Sequence, residues 1–152
     1  MAVTAAQVIR RRGNAPKIRK VPVAASAILY EGTMCFEDAG GDFTGTVLEN
    51  GSFGGIVVKT VDNTGGADGS AGGFGAKFAE VYVDTEFLLT LSSATAAAAD
   101  IGKPVYGEDN FAITETATDL VPVGIITEIV STTQVWVSIH GLGERDTGPL
   151  VT

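Results

Sequence analysis

The stretch VPVGIITEIVSTTQVWVSIH, residues 121–140, decides the fold class. Two runs rich in β-branched residues flank the polar triplet Ser131-Thr132-Thr133, and such side chains favour an extended backbone. In the second run Val135, Val137 and Ile139 share one parity while Trp136, Ser138 and His140 share the other. This is the period of a strand with one buried face, so the segment predicts an antiparallel hairpin. Pro122 lacks a donor and belongs at a strand beginning or an edge.

The same pattern extends backwards through the chain. Residues 76–91, AKFAEVYVDTEFLLTL, place Ala79, Val81 and Val83 opposite Glu80, Tyr82 and Asp84, with a bend expected at Thr85-Glu86. Short apolar pieces from Val21 to Phe36, a reversal over Asp38–Asp42, and runs 43–48 and 55–61 around Glu49-Asn50-Gly51 add further strands; Asn-Gly predicts a tight hairpin between the last two. Twenty glycines and five prolines in 152 residues supply the reversals. The expected fold is all-β, a small barrel or sandwich of eight to ten short strands. One short helix is expected at 92–102, SSATAAAADIG, with Gly102 in positive φ as its stop.

Three units follow: a flexible basic arm at 1–20, a single β domain at 21–141 containing a Gly-rich loop at 62–75, and a tail at 142–152. The arm holds six of the ten basic residues, Arg10, Arg11, Arg12, Lys17, Arg19 and Lys20, and no acid. The rest carries four basic and fourteen more acidic charges than that, so a formal +6 arm joins a −14 body. An acidic body repels nucleic acid and membrane headgroups, whereas the arm suits an acidic protein face. Val8, Ile9 and Ile18 are its apolar anchors. The loop 62–75 has six glycines in fourteen residues, without a phosphate-binding GxGxxG or Gly-Lys-Ser/Thr signature. Phe74, between glycines, is a candidate for a partner's pocket.

Catalytic chemistry finds little support. Cys35 and His140 are the only cysteine and histidine. A lone cysteine excludes an internal disulfide and a multi-cysteine zinc site, fits a reducing compartment, and reads as a small core residue. His140 ends a strand and reads as an edge, rim or interface residue, and Trp136 on the same parity reads as an interface candidate or equally as a barrel-interior residue. The acid pairs Glu37/Asp38 and Glu108/Asp109 lie at turns, where carboxylates are ordinarily solvated. Asp62, Asn63 and Asp68 lack the EF-hand spacing. No cofactor or metal is expected. No apolar run reaches the length of a membrane helix, and no secretory signal is expected.

The succession AAAADIGKPVY (96–106), FAITET (111–116), VPVGIITEIV (121–130) and VWVSI (135–139) resembles bacteriophage capsid decoration, or cement, proteins. Gly102, Pro104, Val105, Tyr106, Pro122, Val123 and Gly124 are its structural matches. The resemblance implies a β-tulip-like domain without enzymatic activity. It implies binding to the major capsid protein on the outer surface of an icosahedral head, as a homotrimer made in the host cytoplasm. The residues themselves leave open a head-tail connector or tail-tube protein, or an acidic carbohydrate-binding module using Trp136 or Tyr82.

Overall fold

A computed structural model describes residues 2–49, 51–92, 95–116 and 121–139. These form thirteen short strands: β1 (Arg11–Arg12), β2 (Lys17–Pro22), β3 (Ile28–Leu29), β4 (Met34–Glu37), β5 (Phe43–Thr44), β6 (Phe53–Val57), β7 (Val61–Asp62), β8 (Phe78–Val83), β9 (Glu86–Leu91), β10 (Pro104–Gly107), β11 (Ala112–Thr114), β12 (Val121–Ile129) and β13 (Gln134–Ile139). Strands β9, β11, β10, β12 and β13 close into a small five-stranded barrel, because β13 pairs back onto β9. A second sheet runs β2-β8-β6-β4-β5, and β3 pairs with β7. A parallel bridge from Val23 to Phe43 brings the two ends of the second sheet together.

Two apolar clusters explain the packing. One fills the barrel with Phe87, Leu89, Val105, Ile113, Val121, Val123, Ile126, Val135 and Val137, and takes Met34, Phe36, Phe53 and Ile56 from the second sheet. The other lies on that sheet's opposite face, with Val21, Val23, Cys35, Val57, Ala79, Val81 and Val83. Met34, Cys35 and Phe36 are therefore all buried, successive side chains going to different cores. A strand covered on both faces reads as a continuous apolar run rather than an alternation.

The hairpin β12–β13 and the reversal at Asp38–Asp42 stand where the sequence put them, and β10 pairs with β11 across the turn that holds Glu108 and Asp109. Pro122 is the second residue of β12, beside a register shift that skips Val123. The bend in 76–91 lies at Asp84, whose φ of 60° turns the chain from one sheet to the other.

Two expectations are corrected. Among its described residues the Ala-rich segment forms no α-helix: residues 95–97 are irregular, and a single 3-10 turn spans Ala98–Asp100. Ala96 donates its N–H to the Thr132 carbonyl (2.8 Å) and is buried, while the Asp100 carboxylate accepts the Ala97 N–H (2.9 Å). Tertiary bonds thus take the donors that a short helix would need, and two turns of alanine do not outweigh the nucleation cost. Gly102 does have positive φ, at 89°. Second, runs 43–48 and 55–61 are not hairpin partners, because β4 lies between β5 and β6 and pairs with both. Asn50 lies outside the described residues.

Candidate interaction surface

The basic segment is built into the sheets. Lys17–Pro22 pairs along its length with β8, from Lys17 opposite Val83 to Pro22 opposite Phe78. The expected domain boundary at residue 21 therefore falls inside a strand. Upstream, Arg11 and Arg12 pair with Phe87 and Glu86. The opening for them comes from β11, which covers only Thr90 and Leu91 on the same edge of β9. Leu88 donates its N–H to the Arg10 carbonyl (3.0 Å), continuing that ladder.

Two further anchors hold residues 3–9. The Asn110 side chain accepts the Val3 N–H (2.9 Å) and donates to the Val3 carbonyl (2.8 Å), imitating a strand partner. Gln7 donates its N–H to the Glu31 carbonyl (2.7 Å), and its own carbonyl lies where a side chain at Gly32 would stand. Ile9 packs on the barrel core, whereas Val8 is fully exposed. Beneath this segment lies a cleft of about 140 Å³ lined by Gln7, Ile9, Met34, Ile56, Leu89 and Asn110, among others.

Arg12 is the most connected cation of the segment. Its guanidinium lies 4.3 Å from the centre of the Trp136 ring and pairs with Glu86 (3.3 Å) and Glu128 (3.2 Å). Thr127 donates to the same Glu86 carboxylate. Trp136 is only 8% exposed, with Arg12 of the same chain lying over its ring. His140 and the tail 142–152 lie outside the described residues.

Beyond Arg12, four cationic or apolar residues face solvent together. Lys17, Ile18, Arg19 and Lys20 are all exposed, and β2 is the terminal strand of its sheet. Acidic neighbours are few: Asp84 lies 3.6 Å from Lys17, and Glu80 stands across the ladder from Lys20. Ile18 is 53% exposed.

The Gly-rich loop divides into a pinned half and a free half. Asn63, buried, donates its amide to the carbonyls of Ala24 and Ala67 (both 2.9 Å), and Asp68 accepts the Ala25 N–H (2.7 Å). Ser70 bonds the buried Asp42 carboxylate through its N–H (2.8 Å) and its hydroxyl (2.7 Å). Past the 3-10 turn Gly69–Ala71 the chain leaves the surface, and Phe74 is fully exposed there.

Acid groups assemble differently from the spacing in sequence. Asp68 joins Asp38 and Asp42, their carboxylate oxygens within 4.8 Å of one another. This is an oxygen set of the kind that hard cations take, although each carboxylate already accepts local donors. Asp62 instead accepts the Thr64 N–H (2.9 Å), and its carboxyl is held below the usual range first by the Thr64 side chain and then by that N–H. At the barrel rim Asp100 pairs with Lys103 (2.8 Å), which lowers the carboxyl and raises the ammonium. Glu115 is pushed up, chiefly by burial and then by the Asp100 charge. Burial also pushes the Cys35 thiol up to about 12, so it holds no thiolate near neutral pH.

The remaining structural positions fall on the barrel wall. Pro104 pairs with Ile125, Tyr106 with Pro122 and Thr114, and Gly124 with Ile139. Sequence reasoning missed Asn110 and Trp136 as receptors of the arm, since nothing local marks a side chain as partner to a segment a hundred or more residues away, and it missed Gly32 as the point where Gln7 passes close to the backbone. No described helix is long and apolar enough to cross a membrane. No family model, curated protein or solved structure matches the chain.

Proposed function

We propose that this protein is a non-enzymatic capsid decoration protein that binds the outer surface of an icosahedral phage head and reinforces its shell. The observation that carries the reading is β2, a basic, exposed edge strand on an otherwise acidic β body. The all-β fold and the resemblance to decoration proteins, best over residues 85–141 and in outline over 21–61, support it. Charge steers the basic edge towards acidic patches of the major capsid protein, and short-range contacts at Ile18 then set the register. Repetition on a lattice multiplies modest affinity, more so if three copies act as one homotrimer. The reinforcement opposes outward pressure from packaged DNA, with no bond made or broken.

Co-sedimentation with empty shells assembled from the major head protein tests this. Because β2 is part of a sheet, truncation at residue 21 would remove a strand, so the informative variant is Lys17/Arg19/Lys20→Glu. Shell binding by the native chain and its loss in the variant are the expected result. Absence of shell binding, or salt-sensitive binding to duplex DNA at about 0.15 M salt instead, overturns the reading. Rings or tubes assembling without shells would favour the head-tail connector or tail-tube alternative. Light scattering at several concentrations tests the trimer.

A further inference from the structure

We infer that the outer edge of β2 is an acceptor site for one extended, acidic segment of a partner protein, which adds to the sheet as a new strand. The inference deepens the shell-binding reading and rests on it only for which protein supplies that segment.

The ladder geometry makes the edge usable. In an antiparallel pair, successive residues turn their N–H and C=O groups alternately towards the partner strand and away from it. Val23 donates to the Lys77 carbonyl (3.0 Å), which assigns the inward set to Val21, Arg19 and Lys17. Pro22, with no N–H to give, falls in the outward set with Lys20 and Ile18. The N–H and C=O groups of Ile18 and Lys20 therefore point away from β8, and among the described residues no strand lies beyond them. Ala24 donates to the Phe43 carbonyl (3.0 Å), so the edge closes just past Pro22. Pro16 and Pro22 bracket a short window, which limits open-ended sheet growth.

Side chains define the occupant. Ile18 and Phe78, 53% and 43% exposed, lie on the face of the ladder shared by Tyr82 and Pro22. They offer apolar footing to alternate residues of an incoming strand. Lys17, Arg19 and Lys20 flank the amides with three cations against Glu80 and Asp84. A second β2 would bring three like charges into register, and directly opposed like charges destabilise a sheet. Phosphates can pair with the cations, but a nucleic acid cannot satisfy alternating N–H and C=O groups in strand register. An acidic strand meets both demands, with main-chain bonds giving affinity and side-chain contacts giving specificity.

Amide hydrogen exchange on the full chain tests the inference, with an eight-residue peptide alternating Asp and Val as the probe. In the free protein Ile18 and Lys20 exchange rapidly, while Arg19 and Val21 are slow. The peptide slows Ile18 and Lys20 by at least about tenfold, the expected mark of newly bonded amides. Ile18→Pro removes an outward donor and spares the inward ladder; Lys17/Arg19/Lys20→Gln keeps every amide and removes the charge. Each variant weakens peptide binding, with Trp136 emission unchanged as the check on folding. Protection of Ile18 and Lys20 already present in the free protein, no protection on adding peptide, or equal protection by an oligonucleotide overturns the inference. Peptide protection without binding to shells would instead remove the decoration reading alone.

Discussion

The guanidinium of Arg12 covers the ring of Trp136 at 4.3 Å, joining a residue of the basic segment to the outer wall of the barrel. The stack stands between Glu86 and Glu128, which hold the cation in place from β9 and β12. Trp136 is the single tryptophan of the chain, so its emission reports the surroundings of this one ring, without a second indole.

Replacing Arg12 with Ala uncovers the indole. The expected outcome is a red shift of tryptophan emission with the far-ultraviolet signature of the β fold retained. Raising salt in the native protein weakens the flanking pairs, both partly exposed, and moves the emission less. An unchanged spectrum in Arg12→Ala would show that other residues cover Trp136.

Cys35 is fully buried in the second apolar cluster, with its thiol raised to about 12. At pH 8 the folded protein resists alkylation, and full labelling appears only on addition of denaturant. Rapid labelling in native buffer would contradict the packing described for Met34, Cys35 and Phe36.

Gly124 and Gly102 are two glycines with different requirements. A side chain at Gly124 collides with the Ser138 carbonyl of the neighbouring strand, so Gly124→Ala overpacks the barrel wall and costs about 1–3 kcal/mol. At Gly102 there is open space and φ is 89°, leaving only backbone strain of about 1–2 kcal/mol for Gly102→Ala. Urea midpoints check both. A neutral Gly124→Ala would place β12 and β13 further apart than described.

Glu115 has a folded pKa above its ordinary 4.5, so the native state holds its proton at pH values where the unfolded chain has released it. Stability contributed by this group falls as pH rises from 4.5 through the folded value, then stays level. Asp100, lowered by Lys103 and the Ala97 N–H, acts in a separate window: its contribution is present above 3.8 and is lost as pH falls through its depressed value. Glu115→Gln is expected to abolish the decline above pH 4.5 in melting temperature, leaving the acid-side loss intact.

The strands were legible where one face is buried. Val135, Val137 and Ile139 are all in the core, as their alternation requires. The barrel itself was less so, because closure depends on β13 returning to β9, a pairing that neither sequence segment announces. The alanine run misled for a physical reason: helix propensity is a weak term, and Thr132 and the Asp100 side chain claimed its backbone donors. The basic segment was visible as charge but not as structure. Lys17–Lys20 show no apolar alternation because their strand is an edge with Val81 and Val83 supplying the buried partners from β8. Asn63 and Asn110 sat in plain view as turn residues, yet each works as a bracket for a distant backbone.

The docking of residues 3–12 also fixes an order of events in time. Asn110 and Trp136 are synthesised roughly a hundred residues after the Val3 and Arg12 that they hold. During elongation the basic segment therefore has none of these receptors, and it finishes folding only when the barrel's last strand has emerged. A nascent chain interrupted before β13 displays both the unlatched cations and the open edge of β9, the two features most prone to premature association. Completion of the barrel is thus the step that buries both features, pairing the edge of β9 with β13 and giving Arg12 its place against Trp136.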